Sequence, residues 1–195
     1  MDHQGQTEKP HAASGQLPRL ALPIEARDHC LGRPGAQFSL VEYGDYESLP
    51  CADVEPLVRE LVRELGDRLC FAFRNFPQPS LHPHSVRAAE AAEAADMQGK
   101  FWLLHERLFE HQDDLSEPVI QRLARELPVD MHEFERDLES GTPARQVAED
   151  RDTGRASGVK ETPTFFVNGA MYVGSHEFLP LLQALQEGAA RGNRA

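Results

Sequence analysis

The chain has 195 residues, enough for one sizeable domain and short for two. Its composition, 40% hydrophobic and 27% charged, is that of a globular protein and contains no apolar run long enough to cross a bilayer. Twenty Lys and Arg against 32 Asp and Glu leave a net charge of −12 with no concentrated basic patch, which argues against a nucleic-acid partner. Three cysteines, Cys30, Cys51 and Cys70, are too few and too odd in number for a disulfide framework and suit a reducing compartment. The first residues carry no apolar stretch of the secretory kind, so a cytoplasmic location is expected.

Residues 1–18 are rich in Gly, Gln, His, Pro and Ser and bury too little to offset chain entropy, so they are expected to form a disordered tail. A single domain is expected over 19–190, with a flexible end at 191–195. The run from Phe38 to Tyr43, closed by Gly44 and Asp45, has the composition of a buried strand. From Asp53 to Leu65 the residues Val54, Leu57, Val58, Leu61, Val62 and Leu65 recur at helical spacing, with Gly66 as a stop. Leu69 to Phe73 reads as a second strand, parallel to the first because a helix joins them.

The stretch from about 80 to 158 is helical in pattern. It contains an alanine-rich segment over 84–98, a continuation over 101–111 with Phe101, Leu104 and Leu108 on one face, and a helix opened by Ser116 and Pro118. Asp130 with Glu133 forms a capping-box signature for another helix, and Thr142 before Pro143 is expected to cap the last one. Beyond it, Thr164 to Val167, the Asn168-Gly169 turn and Met171 to Val173 give a hairpin signal, and Ser175 is expected to cap a terminal helix.

The order βαβ, helical block, ββα resembles a thioredoxin fold with a helical insertion, in the form seen in DsbA-like proteins. Tyr43-Gly44-Asp45-Tyr46-Glu47-Ser48-Leu49-Pro50-Cys51 is similar to that family's strand, Gly-Asp-aromatic-Glu and Cys-x-x-Cys segment. Thr162-Pro163-Thr164-Phe165-Phe166-Val167-Asn168-Gly169 resembles its cis-proline loop and hairpin. Ala88 to Ala95 and Gln98 to Trp102 look like its inserted helices, and the chain also resembles domains fused to sodium/proton antiporters. The resemblance implies an α/β fold, protein or peptide thiols and disulfides as partners, and a site made of Ser48, Cys51, Thr162 and a cis Pro163.

A thiol at the first turn of a helix faces unpaired N–H groups and the positive end of the helix dipole, which favour the thiolate. A second cysteine three residues on can resolve the mixed disulfide that the first one forms. Here Ser48 stands where the family has its nucleophilic cysteine, and a hydroxyl cannot form a disulfide. Ordinary dithiol exchange is therefore expected to be lost.

Three uses of the site remain: a peptide-binding module, a single redox thiol at Cys51, and a glutathione site. The last rests on a similarity of Ser48 to the serine of kappa-class glutathione transferases and hydroxychromene carboxylate isomerases, which stabilises the glutathione thiolate. No other cofactor and no metal is expected: His82-Pro83-His84 lacks further ligands at recognisable spacing, and His105 and His111 do not share a helix face. Cys70 reads as a core residue and Cys30 as a loop residue. The carboxylates Asp45, Glu47, Asp53 and Glu55 read as a charged rim that would raise a nearby thiol's pKa.

Overall fold

The structure is a computed structural model that describes residues 17–192. Five strands form one sheet: β1 (His29–Gly32), β2 (Phe38–Gly44), β3 (Leu69–Asn75), β4 (Thr164–Val167) and β5 (Ala170–Met171), in the order β1-β3-β2-β4-β5. As expected of a βαβ unit, β2 and β3 are parallel, Phe38 opposite Leu69 through Gly44 opposite Asn75, and α1 (Leu49–Leu65) joins them. The remaining pairings are antiparallel. The hairpin turns at Asn168 and Gly169, whose φ angles of 49° and 78° are the positive values the Asn-Gly pair is suited to.

Five helices fill the insertion: α2 (Ser85–Asp96), α3 (Phe101–Glu110), α4 (Glu117–Arg125), α5 (Met131–Glu139) and α6 (Thr142–Ala156). The terminal helix is α7 (Phe178–Gly192). In α2 the side chains of Ala88, Ala89, Ala91, Ala92, Ala94 and Ala95 are all buried, so the helix is apolar on nearly every side. That pattern belongs to a helix enclosed by others, and alanine lets them approach closely. The Asp130 carboxylate accepts the Glu133 N–H at 3.0 Å, the main-chain half of a capping box.

Several boundaries differ from the sequence expectation. The first helix begins at Leu49, with Ser48 as its N-cap, four residues before the expected Asp53, because its first turn, with Pro50 in it, lies ahead of the apolar stripe that marks the helix in the sequence. Gly141, at φ 74°, caps α6 in place of Thr142, and Thr142 is the first helical residue. The second hairpin strand is Ala170–Met171, and α7 starts at Phe178, three residues after Ser175. Residues 1–16 of the expected tail lie outside the described residues; Pro18 accepts the Met171 N–H at 2.7 Å and Arg19 bridges Ala170. Residues 193–195 of the expected flexible end also lie outside them.

Alternation along the strands divides the core. Phe38, Leu40, Phe71, Phe73, Phe165 and Val167 face α1 and α7, while Val41, Tyr43, Ala72 and Phe166 face the other way, towards Val159, Leu20 and Ile24. Burial of this kind contributes about 25 cal/mol per Å² of apolar surface.

Polar groups inside the fold carry a pH signature. His29 is buried, stacks on Phe101 and contacts Glu93 at 3.0 Å and Asp96 at 3.3 Å. Burial alone would lower its pKa, but the hydrogen bonds to Asp96 and Glu93 outweigh it and raise it to about 10. A folded-state pKa above the unfolded value gives a contribution to stability that is complete below pH 6.5 and lost as pH rises towards 10. The urea midpoint of the wild type is expected to fall across that window, and His29→Gln to flatten the slope there. An unchanged slope in the variant would contradict the assignment.

Candidate functional site

The β2–α1 junction forms the centre of the site. Gly44 ends β2 against the Phe73 ring, where an added Cβ would lie 2.3 Å from a ring carbon, so the chain passes there only as glycine. Asp45, fully buried, accepts from the Glu47 N–H at 3.0 Å, the Gln78 N–H at 2.9 Å and His82 Nδ1 at 2.8 Å. Glu47 accepts the His84 N–H at 2.6 Å. These two carboxylates staple the loop before α2 to the loop before α1, so they are structural acceptors where a charged rim was expected. His82 and His84 are thereby accounted for, and among the described residues no group of three potential ligands could hold a metal.

Ser48 and Cys51 occupy the first turn of α1, and Thr162 and Pro163 come to them from the loop before β4. The Thr162–Pro163 peptide bond is cis. The Ser48 hydroxyl donates to the Thr162 carbonyl at 3.3 Å, which binds the two segments directly. The Ser48 carbonyl accepts from Cys51 and Ala52 N–H groups and from the Gln112 side-chain amide at 2.8 Å. Gln112 also donates to the Tyr46 carbonyl, so the segment after α3 braces the motif from behind.

Cys51 is 1% exposed. Burial pushes its thiol from the ordinary 9.0 to about 12, with a further push from Glu42, while hydrogen bonds from the Ser48 side chain, the Asp45 backbone and the Thr162 side chain pull the other way. Desolvation therefore outweighs the helix start and its polar groups. A shift of about three units lowers the thiolate fraction at neutral pH about 10³-fold. Iodoacetamide is accordingly expected to leave Cys51 in the folded protein unmodified on the timescale in which it alkylates free cysteine; peptide mapping after a timed quench checks this, and equal rates would refute it.

The carboxylate that acts on Cys51 is Glu42, in the middle of β2, and not the four that flank the motif in sequence. Glu42 is 1% exposed, and burial raises its pKa well above the usual range, with Glu55 adding to the effect. Glu42, the one charged residue in the strand Phe38–Gly44, was the available signal, because a buried strand does not ordinarily carry a carboxylate. Glu55 is buried with Arg59 at 2.9 Å and His105 at 3.5 Å; burial opposes its ionisation, but the hydrogen bonds from His105 and Arg59 hold it below the ordinary range. His105 also meets the Tyr46 hydroxyl at 3.0 Å, so it is a packed and satisfied core histidine. Asp53 is exposed. Leu49, beside Ser48, is 71% exposed despite its size.

Cys30 departs from its expected place in a loop. It lies on β1, a four-residue strand whose Gly32 and polar His29 hide any strand pattern, and its Sγ is 3.1 Å from Cys70 Sγ. All three cysteines are free.

A sheet with a βαβ half and a ββα half, a helical insertion and a cis-proline loop against the start of α1 defines a DsbA-like thioredoxin-fold protein. The chain belongs to the thioredoxin family, whose profile matches residues 25–187. The sodium/proton antiporter NhaA 1 of Mycolicibacterium gilvum (strain PYR-GCK) is 38% identical over 173 residues, covering 87% of this chain and 28% of the antiporter. The chain thus spans little more than a quarter of the length of the curated relatives it matches. Among solved structures, a thioredoxin-like oxidoreductase from Silicibacter pomeroyi DSS-3 is 28% identical with a TM-score of 0.74, over 88% of this chain and 95% of that one. BdbD from Bacillus subtilis, in its oxidised form, has the same TM-score at 24% identity, over 90% of this chain and 97% of that one. Among the described residues no helix is long and apolar enough to cross a membrane.

Proposed function

We propose that this protein is a DsbA-like binding module, which holds extended protein or peptide segments at the junction of α1 and the Thr162–Pro163 loop without exchanging disulfides by a dithiol route. The observation that carries the reading is the state of the two motif positions. Ser48 has no sulfur, and Cys51 is buried with its thiol pushed up to about 12, so neither offers a thiolate at neutral pH. Single-thiol chemistry at Cys51 has the same obstacle. The exposed Leu49 and Pro50 beside this junction supply an apolar contact for a bound segment. The family's usual partners, protein thiols and disulfides, are on this reading clients bound for their backbone and apolar side chains.

Glutathione is the other small occupant to be considered. The Ser48 hydroxyl is 3% exposed as a residue and donates to the Thr162 carbonyl, an arrangement that favours the peptide over a glutathione thiolate. Three cysteines, an odd number with no partner for Cys51 in the motif, suit a reducing compartment, and we place the protein in the cytoplasm on that ground.

Calorimetric titration with a permanently unfolded, cysteine-free polypeptide tests the proposal. Binding is expected, with no heat from reduced glutathione; it should survive Cys51→Ala and weaken at least tenfold in Leu49→Ser. Absence of binding, or binding that requires the Cys51 sulfur, would overturn it.

A further inference from the structure

The face of the sheet opposite α1 holds a pair of sulfurs. In the antiparallel β1–β3 register, Cys30 lies opposite Ala72 and Cys70 opposite Gly32, so the two cysteines are diagonal neighbours on one face. Ala72 belongs to the cluster that packs away from α1, with Cys30 against it, which puts both sulfurs on the face turned from Ser48 and Cys51. The sulfurs stand 3.1 Å apart, and approach by about 1 Å gives the bonded distance of about 2.05 Å. Cys70, 2% exposed, is the inner sulfur and lines a cleft of about 400 Å³ with Ile24, Gly35, Ser39 and Asn168; Cys30 is half-buried and is the outer one, so a small molecule meets this pair without passing the α1 site.

We propose that Cys30 and Cys70 form a reversible dithiol–disulfide centre apart from the motif, oxidised by low-molecular-weight disulfides that reach the half-buried Cys30. Cys30 is the entry sulfur: it is half-buried where Cys70 is 2% exposed, and it accepts the Cys70 S–H at 3.1 Å, which supports a thiolate on it. The Cys30 thiolate attacks one sulfur of the incoming disulfide, the disulfide's S–S bond breaks, and the first thiolate leaves. That thiolate takes the Cys70 proton. The Cys70 thiolate then attacks Cys30 Sγ in the mixed disulfide, forming the Cys30–Cys70 bond and expelling the second thiolate, which takes a proton from water. Two cysteine thiols lose two electrons and two protons in all, and the small disulfide is reduced to two thiols. The resulting bond ties edge strand β1 to β3 and changes one wall of the cleft, while Cys51 is left untouched.

The full-length protein is equilibrated with excess oxidised glutathione, quenched in acid and unfolded before alkylation. The alkylatable thiols are expected to fall from three to one, with intact mass lower by two hydrogens, no retained glutathione, and a linked peptide pair containing residues 30 and 70. Cys70→Ser is expected to retain one glutathione on Cys30, and reduced glutathione in excess should restore all three thiols to the wild type. Three free thiols in the wild type after oxidation, or a linkage involving Cys51, would overturn the proposal. The wild-type mapping decides it without any variant, so poor folding of Cys70→Ser leaves the test intact.

Discussion

Changing Ser48 to cysteine is expected to turn a silent motif into a working one, with dithiol-driven reduction of insulin at least about 10²-fold faster than with the wild type, equivalent to about 2.7 kcal/mol of barrier. The substitution places sulfur where an oxygen already sits within hydrogen-bonding reach of the Cys51 thiol. Residue 48 is the N-cap of α1, so a thiolate there faces the unpaired N–H groups and positive dipole end of a 17-residue helix. Cys51, three residues on, is then the resolving thiol, and its burial suits that role because it needs to meet only the neighbouring sulfur. Turnover in the variant alone would show that the fold retains everything but the nucleophile. Equal turnover in both proteins would put the chemistry elsewhere and contradict the binding reading. Inactivity of the variant would mean that the scaffold, as well as the serine, prevents exchange.

The parts of the fold that follow from periodicity were legible in the sequence. The apolar stripe of α1, the alanines of α2 and the Asn-Gly turn each state a local preference that the tertiary structure agrees with, and agreement between levels is what makes a pattern readable. The strand His29–Gly32 was not legible because its place depends on β3: four residues containing a histidine and a glycine have no strand signal until a neighbour supplies the hydrogen bonds. In the site, Ser48, Cys51, Thr162 and Pro163 could be named from local motifs, whereas Glu42, Gln112 and the Cys30–Cys70 contact come from register and loop docking between residues far apart in the chain. Asp45 and Glu47 were visible as charges, but their role as acceptors for the 78–84 loop appears only once that loop is folded back onto them. Charged residues inside apolar strands, Glu42 in β2 and Arg74 in β3, were the one sequence clue to this buried polar layer.

Arg74→Met is expected to be the most destabilising single change outside the apolar core, costing about 3–5 kcal/mol as the removal of one partner of a buried ion pair. For a domain of this size that corresponds to a fall in Tm of roughly 10 °C. Arg74 is 0% exposed, and its guanidinium makes two hydrogen bonds to Asp28, at 2.7 and 2.9 Å. It makes three more to the Leu22 carbonyl, the Pro23 carbonyl and the Tyr43 hydroxyl. One side chain thus fastens residues 22–28 to the sheet. Methionine fills a similar volume but leaves the Asp28 carboxylate, whose side chain is only 2% exposed, with the Glu25 N–H as its remaining partner at 2.7 Å. The loss is therefore mainly an uncompensated charge, and the double variant Asp28→Asn, Arg74→Met should recover part of it. Urea unfolding of the four proteins in this cycle yields the coupling energy directly; a double variant no more stable than Arg74→Met would show that packing, and not the stranded carboxylate, sets the cost. Because Pro23, Ile24 and Glu25 also line the cleft beside Cys70, loosening this segment should expose Cys70 to alkylation well before global unfolding, which joins the stability of the arginine clamp to the reactivity of the Cys30–Cys70 pair.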